Sequence, residues 1–208
     1  MKIKVCGMNN QENTLSISEL KPDFLGFIFW KDSKRYCEKV IETISDSIQK
    51  VGVFVNTDYN EIVDKIISHQ LNFVQLHGEE TADFCLKMKN TNIKVIKSIT
   101  IDSEFNFNEL KYYKNCVDYF LFDTKGKLPG GNGTTFDWKI INEYNQDIPY
   151  FLSGGIGLNE WPKLEKFLQS NAAKNCYAID INSRFEDEPG IKNKQKIKEF
   201  QEKLKQLR

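Results

Sequence analysis

The chain has few of the residues and runs that mark the commonest specialised protein classes, and each shortage weighs against one of them. Its five cysteines, Cys6, Cys37, Cys85, Cys116 and Cys176, are odd in number, widely spaced and never form a CxxC pair. A secreted disulfide framework shows an even, dense set, so reduced thiols and a cytoplasmic location are expected. Only two histidines are present, His69 and His77, with no Cys/His cluster of the kind that holds structural zinc. Lys plus Arg (29) equals Asp plus Glu (29), so no global positive field draws the chain to nucleic acid or to an anionic membrane. No apolar stretch approaches the ~20 residues of a membrane span. The start, MKIKVCGMN, lacks the apolar region and cleavage site of a signal peptide.

What is there is a regular alternation. Short apolar runs rich in Val, Ile, Phe and Tyr occur at 3–6, 23–29, 51–55, 72–76, 94–99, 118–123, 150–153 and 177–181. Most lack polar alternation, the look of strands buried on both faces of a parallel sheet. Segments 58–69, 81–89, 134–144 and 192–207 read as helices between or after them. In the last, Ile197, Phe200, Leu204 and Leu207 form an apolar stripe on a solvated helix. The pattern runs through all 208 residues without a linker or composition break, so one domain, 1–208, is expected. Seven or eight helical segments between eight strands imply right-handed βαβ units of roughly 25 residues each. The fold class is therefore α/β, a single (β/α)₈ barrel with a phosphate site after strands 7 and 8. An open doubly wound sheet is the alternative. Against it, the first turn, CGMNNQ, lacks the GxGxxG dinucleotide fingerprint.

A barrel carries its active site at the carboxyl ends of its strands. That rule brings together Cys6 after strand 1, Arg35 after strand 2, Gln75 and His77 at strand 4, and Asp123 at strand 6. It adds Gly154 and Gly155 after strand 7, and Asp180, Asn182 and Ser183 after strand 8. The glycine pair lets backbone approach a phosphate closely, although such pairs also make plain turns. The segment 124–138 holds four glycines and a proline, reading either as a surface connection or as a lid that excludes water. No Walker A pattern is present in it. Cys37, Cys85, Cys116 and Cys176 read as packing residues and His69 as structural. Asp123 could merely cap its loop, and His77 could orient a neighbour or carry a proton.

In order along the chain, KVCGM, LGFIF with SKRY, VGVFVN, VQLHGEE, LFDT, GGNGTTFDW, FLSGGIG and AIDINSRFE resemble the phosphoribosylanthranilate isomerases of tryptophan biosynthesis. The likeness extends from residue 3 to about residue 194. It implies a monofunctional (β/α)₈ enzyme with no cofactor and no metal, whose partner is a small phosphorylated substrate and not nucleic acid or membrane. Monomer and homodimer both stay open. The reaction implied is an Amadori rearrangement of N-(5-phosphoribosyl)anthranilate to 1-(2-carboxyphenylamino)-1-deoxyribulose 5-phosphate. Cys6 is then the general base, Asp123 the general acid and Arg35 the holder of the anthranilate carboxylate. Gly154, Gly155, Asp180, Asn182 and Ser183 line the phosphate site. Departures from the family pattern are Asn132 in GGNG, the turn SGGIG, and Asn182 and Arg184 after strand 8. Arg184 could supply charge to the site or point into solvent.

Such chemistry asks for a thiolate on one side of the sugar and a proton donor on the other. At reference values (~8.5 for Cys, ~3.9 for Asp) a free pair has the opposite states, so a cation near Cys6, Arg35 or a lysine, is expected to lower its pKa. Other sugar-phosphate barrels fit less well. An indole-glycerol-phosphate synthase needs catalytic lysine and glutamate, and a ribulose-phosphate epimerase needs two aspartates with a metal. A catalytically dead barrel that binds a phosphorylated ligand is the rival from another class.

Overall fold

The computed structural model describes residues 1–124 and 138–207. Eight parallel strands form a closed barrel: β1 (Lys2–Cys6), β2 (Phe24–Ile28), β3 (Gln49–Phe54), β4 (Phe73–Leu76), β5 (Lys94–Ile101), β6 (Tyr119–Thr124), β7 (Tyr150–Leu152) and β8 (Cys176–Ile181). Each pairs with the next, and β8 closes on β1 with Lys4 opposite Asp180. A small antiparallel pair follows, β9 (Glu186–Glu188) and β10 (Ile191–Lys192). All eight apolar runs became barrel strands, because strands covered on both faces are continuous in hydrophobicity.

The α-helices are α1 (Gln11–Ser18), α2 (Tyr59–His69), α3 (Ala82–Lys89), α4 (Trp161–Leu168) and α5 (Lys194–Gln206). Side chains of Asn10, Asp58, Thr81 and Asn193 accept from N–H groups of the first turn of α1, α2, α3 and α5, and so set where each begins. The expected set of seven or eight helices is not met among the described residues. After β5 and around 134–144 the chain forms 3₁₀ helices, Phe107–Tyr113 and Trp138–Glu143. Between β2 and β3 no helix forms, although Ile41, Ile44 and Ile48 have helical spacing. Thr43 there has φ +64°, which breaks a helical turn. Ser45 hydrogen-bonds Ser47 side chain to side chain (2.9 Å), the local competition that draws serine out of helices. The tail helix starts two residues later than expected, because Ile191 and Lys192 pair with β9 first. No helix among the described residues is long and apolar enough to cross a membrane.

The apolar residues fall into two clusters, one between barrel and outer layer and one inside the barrel. The inner cluster takes Phe24, Val51, Phe73, Ile96, Leu121, Phe151 and Ala178, one from each of β2 to β8 and none from β1. Alternation along β1 puts Lys2, Lys4 and Cys6 on one face and Ile3 and Val5, members of the outer cluster, on the other. The inside of β1 is thus a polar column. Lys2 Nζ reaches the Tyr177 hydroxyl (2.6 Å) at the bottom, Lys4 lies in the middle, and Cys6 stands at the mouth.

Candidate active site

Cys6 is the last residue of β1 and is buried. Gly7 follows at φ +81°, a left-handed turn that an L side chain resists, and the N–H groups of Gly7 and Met8 both donate to Gly26 O (2.9 and 3.0 Å). Gly26 is the barrel partner of Cys6 on β2. A Cβ on Gly26 would stand 2.9 Å from Cys6 Sγ and 3.2 Å from Lys4 Cε, so the missing side chain is the notch in which the thiol and the lysine stem sit.

Below the thiol, Lys4 Nζ donates to Asp180 Oδ1 at 3.0 Å, with the lysine side chain fully buried and the aspartate nearly so. Burial by itself lowers the Lys4 pKa, but the Asp180 carboxylate and the Cys6 sulfur outweigh it and hold the ammonium above its ordinary value. Burial likewise pushes Asp180 up, against the pull of Lys4. For Cys6, burial pushes the thiol up and Lys4 pulls it down without overcoming that push. This corrects the expectation of a thiol lowered by a nearby cation. A cation is present, but it is Lys4 and not Arg35 that leads, and in the resting site desolvation wins.

Asp123 lies on β6 two residues after Leu121 of the inner cluster, hence on the inward face, and is buried. His77 Nε2 is 3.5 Å from its Oδ2. The other ring nitrogen, Nδ1, meets Gln75 Nε2 at 2.8 Å and Ser98 Oγ at 3.1 Å. With the Gln75 amide nitrogen turned toward it, Nδ1 accepts, and a ring hydrogen on Nε2 then faces Asp123. Among the described residues Gln75 Oε1 has no hydrogen-bond partner. The loop that bears His77 is fastened by a buried ion pair, Lys97 Nζ to Glu80 Oε2 (3.0 Å). Lys97 also donates to Gly78 O (2.6 Å), and Glu80 Oε2 accepts from Gly78 N (3.0 Å).

Arg35 and Glu186 form a fork: Nε and NH2 of the guanidinium meet the two carboxylate oxygens at 2.7 to 3.0 Å. The arginine stem crosses Gly7, where a Cβ would be 2.7 Å from Arg35 Cδ, so the fork lies next to Cys6. Glu186 also accepts from Lys192 Nζ, which in turn donates to Asn182 Oδ1 at 2.7 Å. Burial lowers the Lys192 pKa to about 8 despite Glu186. Burial would raise Glu186, but hydrogen bonds and charges from Arg35 and Lys192 hold it below the usual carboxylate range. Gly154 and Gly155 follow β7 with φ of +94° and +63°. Asn182 leads into a 3₁₀ turn, Ser183–Phe185, while Arg184 is exposed and its stem packs over Gly157.

The structure thus brings Cys6, Arg35, His77, Asp123, Asp180 and Asn182 to one end of the barrel. It places Asp180 beneath Cys6 on Lys4, inside the barrel. The glycine-rich segment read as a lid, including Asn132, lies outside the described residues apart from its first and last positions, Thr124 and Trp138. Sequence reasoning missed Lys4, Gly26, Ser98, Glu186 and Lys192. Lys4 carried a signal, a lysine two residues before Cys6 in an otherwise apolar strand. Glu186 and Lys192 flank the Pro189-Gly190 turn, a hairpin cue. All five cysteines are free; burial pushes Cys37 up to about 11 and Cys85 up to about 12, as packing thiols. His69 stands edge-on to Phe29, and burial lowers its pKa.

A closed eight-stranded parallel barrel with buried ionisable side chains at the carboxyl ends of its strands defines a (β/α)₈ enzyme. Residues 3–203 match the family model for N-(5'-phosphoribosyl)anthranilate isomerase. The N-(5'-phosphoribosyl)anthranilate isomerase of Parabacteroides distasonis is 37% identical over 206 residues, covering 96% of this chain and 91% of its own. The crystal structure of phosphoribosylanthranilate isomerase from Thermotoga maritima superposes with a TM-score of 0.82 at 32% identity, covering 99% of both chains. A further phosphoribosylanthranilate isomerase, solved in complex with reduced 1-(o-carboxyphenylamino)-1-deoxyribulose 5-phosphate, gives 0.78 at 31% identity over 99% of both. The chain belongs to the N-(5'-phosphoribosyl)anthranilate isomerase family, isomerases of tryptophan biosynthesis.

Proposed function

We propose that the chain converts N-(5'-phosphoribosyl)anthranilate to 1-(2-carboxyphenylamino)-1-deoxyribulose 5-phosphate, with Cys6 as general base and Asp123 as general acid. The observation that carries the reading is the placement of a buried thiol and a buried carboxylate, both inward, at the carboxyl ends of strands 1 and 6 of one barrel. Asp123 protonates the ribose ring oxygen, the ring C1–O bond breaks, and an iminium forms between C1 and the anthranilate nitrogen. Cys6 then takes the C2 proton, giving an enolamine that tautomerises to the C2 ketone. Atoms and electrons balance within the substrate, so the route asks for no redox cofactor. Backbone around Gly154, Gly155, Asn182 and Ser183 holds the phosphate, with two left-handed glycines supporting close approach. Arg35, next to Cys6, holds the anthranilate carboxylate. His77 turns its Nε2–H toward Asp123 and fixes the acid's position. The solved relative with a reduced ribulose phosphate supports this substrate class.

Fluorescence loss of freshly made phosphoribosylanthranilate tests the reading, with wild type beside Cys6→Ser. Wild type consumes the substrate and Cys6→Ser does not. Retention of most activity by Cys6→Ser overturns the proposed base. Growth of a tryptophan auxotroph lacking this step separates an enzyme from a barrel that only binds ligand, and no growth sinks the assignment.

A further inference from the structure

The resting site poses a problem for any base at Cys6, because burial favours the neutral thiol. Three cations stand near the thiol, the buried Lys4 and Lys192 and the partly buried Arg35, and Lys4 acts on it most strongly. Lys4 and Cys6 are two residues apart on one strand and point to the same side. Cys6 Sγ and Lys4 Cε both lie within 3.2 Å of one point, where Gly26 would carry a Cβ. Nothing about packing requires a lysine there. Every other strand gives the inner cluster an apolar residue, and buried ion pairs are often replaceable by hydrophobic side chains without loss of stability. Asp180, opposite Lys4 on β8, accepts from its Nζ and so fixes the ammonium below the sulfur. An opposite charge at this range favours an ionised group by one to three pH units.

We propose that Lys4 is a positioning residue that supplies the counter-charge to the Cys6 thiolate, held under the sulfur by Asp180 through the notch at Gly26. The inference rests on the reading of Cys6 as the base. Lys4 touches no reacting atom; it acts through the thiolate, opposing part of the desolvation that favours the neutral thiol.

The test measures the pH dependence of iodoacetamide alkylation at Cys6, followed by peptide mass spectrometry, beside the pH profile of kcat/KM. The variants are Lys4→Met, Lys4→Arg and the double variant Lys4→Met/Asp180→Asn, which leaves no unpaired carboxylate buried if Lys4→Met alone does not fold. The expected result is a Cys6 alkylation midpoint and an acidic limb of kcat/KM both moved to higher pH by about one unit or more without the lysine. At neutral pH, kcat/KM falls about tenfold or more and recovers in part at alkaline pH. Lys4→Arg keeps the charge and holds both midpoints near wild type. An alkylation midpoint that stays put in the charge-free variants overturns the proposal, whatever happens to activity. Activity retained by Cys6→Ser overturns the general-base reading instead, and the alkylation shift still decides whether Lys4 governs the thiol.

Discussion

His77 Nε2 lies 3.5 Å from Oδ2 of Asp123, and its other nitrogen is committed to Gln75 and Ser98. The distance is beyond an ordinary hydrogen bond but within electrostatic reach. Held on two sides at Nδ1, the ring cannot turn without breaking bonds to β4 and β5. It therefore keeps Nε2 turned toward Asp123.

His77→Gln is accordingly expected to lower kcat by about tenfold, less than the ~10² to 10⁴ lost with a general acid itself. Asp123→Asn is expected to fall in that larger range. Steady-state kinetics on the two variants side by side check this. Equal losses in both would make His77 a proton carrier, not an orienting group.

Gly26 predicts a steric result. A methyl at this position meets Cys6 Sγ at 2.9 Å and the Cys6 backbone Cα at 3.1 Å, and backbone does not yield cheaply. Gly26→Ala is expected to cost about 1–3 kcal/mol of stability, as overpacked cores do. It should also lower kcat by displacing the thiol. Urea unfolding and kinetics on one preparation measure both, and a stable, fully active variant would contradict the notch.

The contrast between Gly26 and Cys6 shows what sequence carries. Cys6, His77 and Asp123 were legible because the barrel rule assigns an address to any residue at a strand's end. The eight strands were legible because burial on both faces leaves unbroken apolar runs. The Lys4–Asp180 contact joins residues 176 apart, and Arg35–Glu186 joins residues 151 apart. Partners so distant are set by closure of the barrel and by the β9–β10 hairpin, not by local spacing. The missing helix after β2 failed for a different reason. Helical spacing at Ile41, Ile44 and Ile48 was outvoted by the backbone at Thr43 and the serines beside it.

Alkaline pH is expected to destabilise the fold through its packing thiols. Burial raises Cys37 to about 11 and Cys85 to about 12, well above an ordinary thiol. Their folded-state pKa values exceed the unfolded ones, so their contribution is complete below about pH 9. It is lost as pH rises through 11 to 12, because the unfolded chain releases these protons first. At about 1.4 kcal/mol per unit, each thiol accounts for roughly 2–4 kcal/mol across that window. The thermal midpoint should fall steeply above pH 9, and Cys37→Ala should flatten the slope even though it lowers the starting stability. An unchanged slope would mean the thiol is not protected as its burial indicates.

Glu186 ties Arg35 and Lys192 together, two cations that would otherwise repel beside Cys6. Removing one member of a buried ion network leaves the others uncompensated, at a cost of about 3–5 kcal/mol when the charge is fully buried. Lys192 is fully buried and Arg35 is not, so Glu186→Gln should fall toward the lower end of that range. The carboxylate also holds the Arg35 fork in place, and an amide cannot accept at both oxygen positions. KM for the anthranilate substrate should therefore rise more than kcat falls. The pH sign is fixed as well. Glu186 has its folded pKa below the unfolded one, so its stabilisation is present above about pH 4.5 and lost as pH drops through the folded value. Wild type should thus lose stability on acidification faster than Glu186→Gln, with the two unfolding curves converging at low pH. Parallel curves would show that Arg35 and Lys192 find other partners, and would remove Glu186 from the site's support.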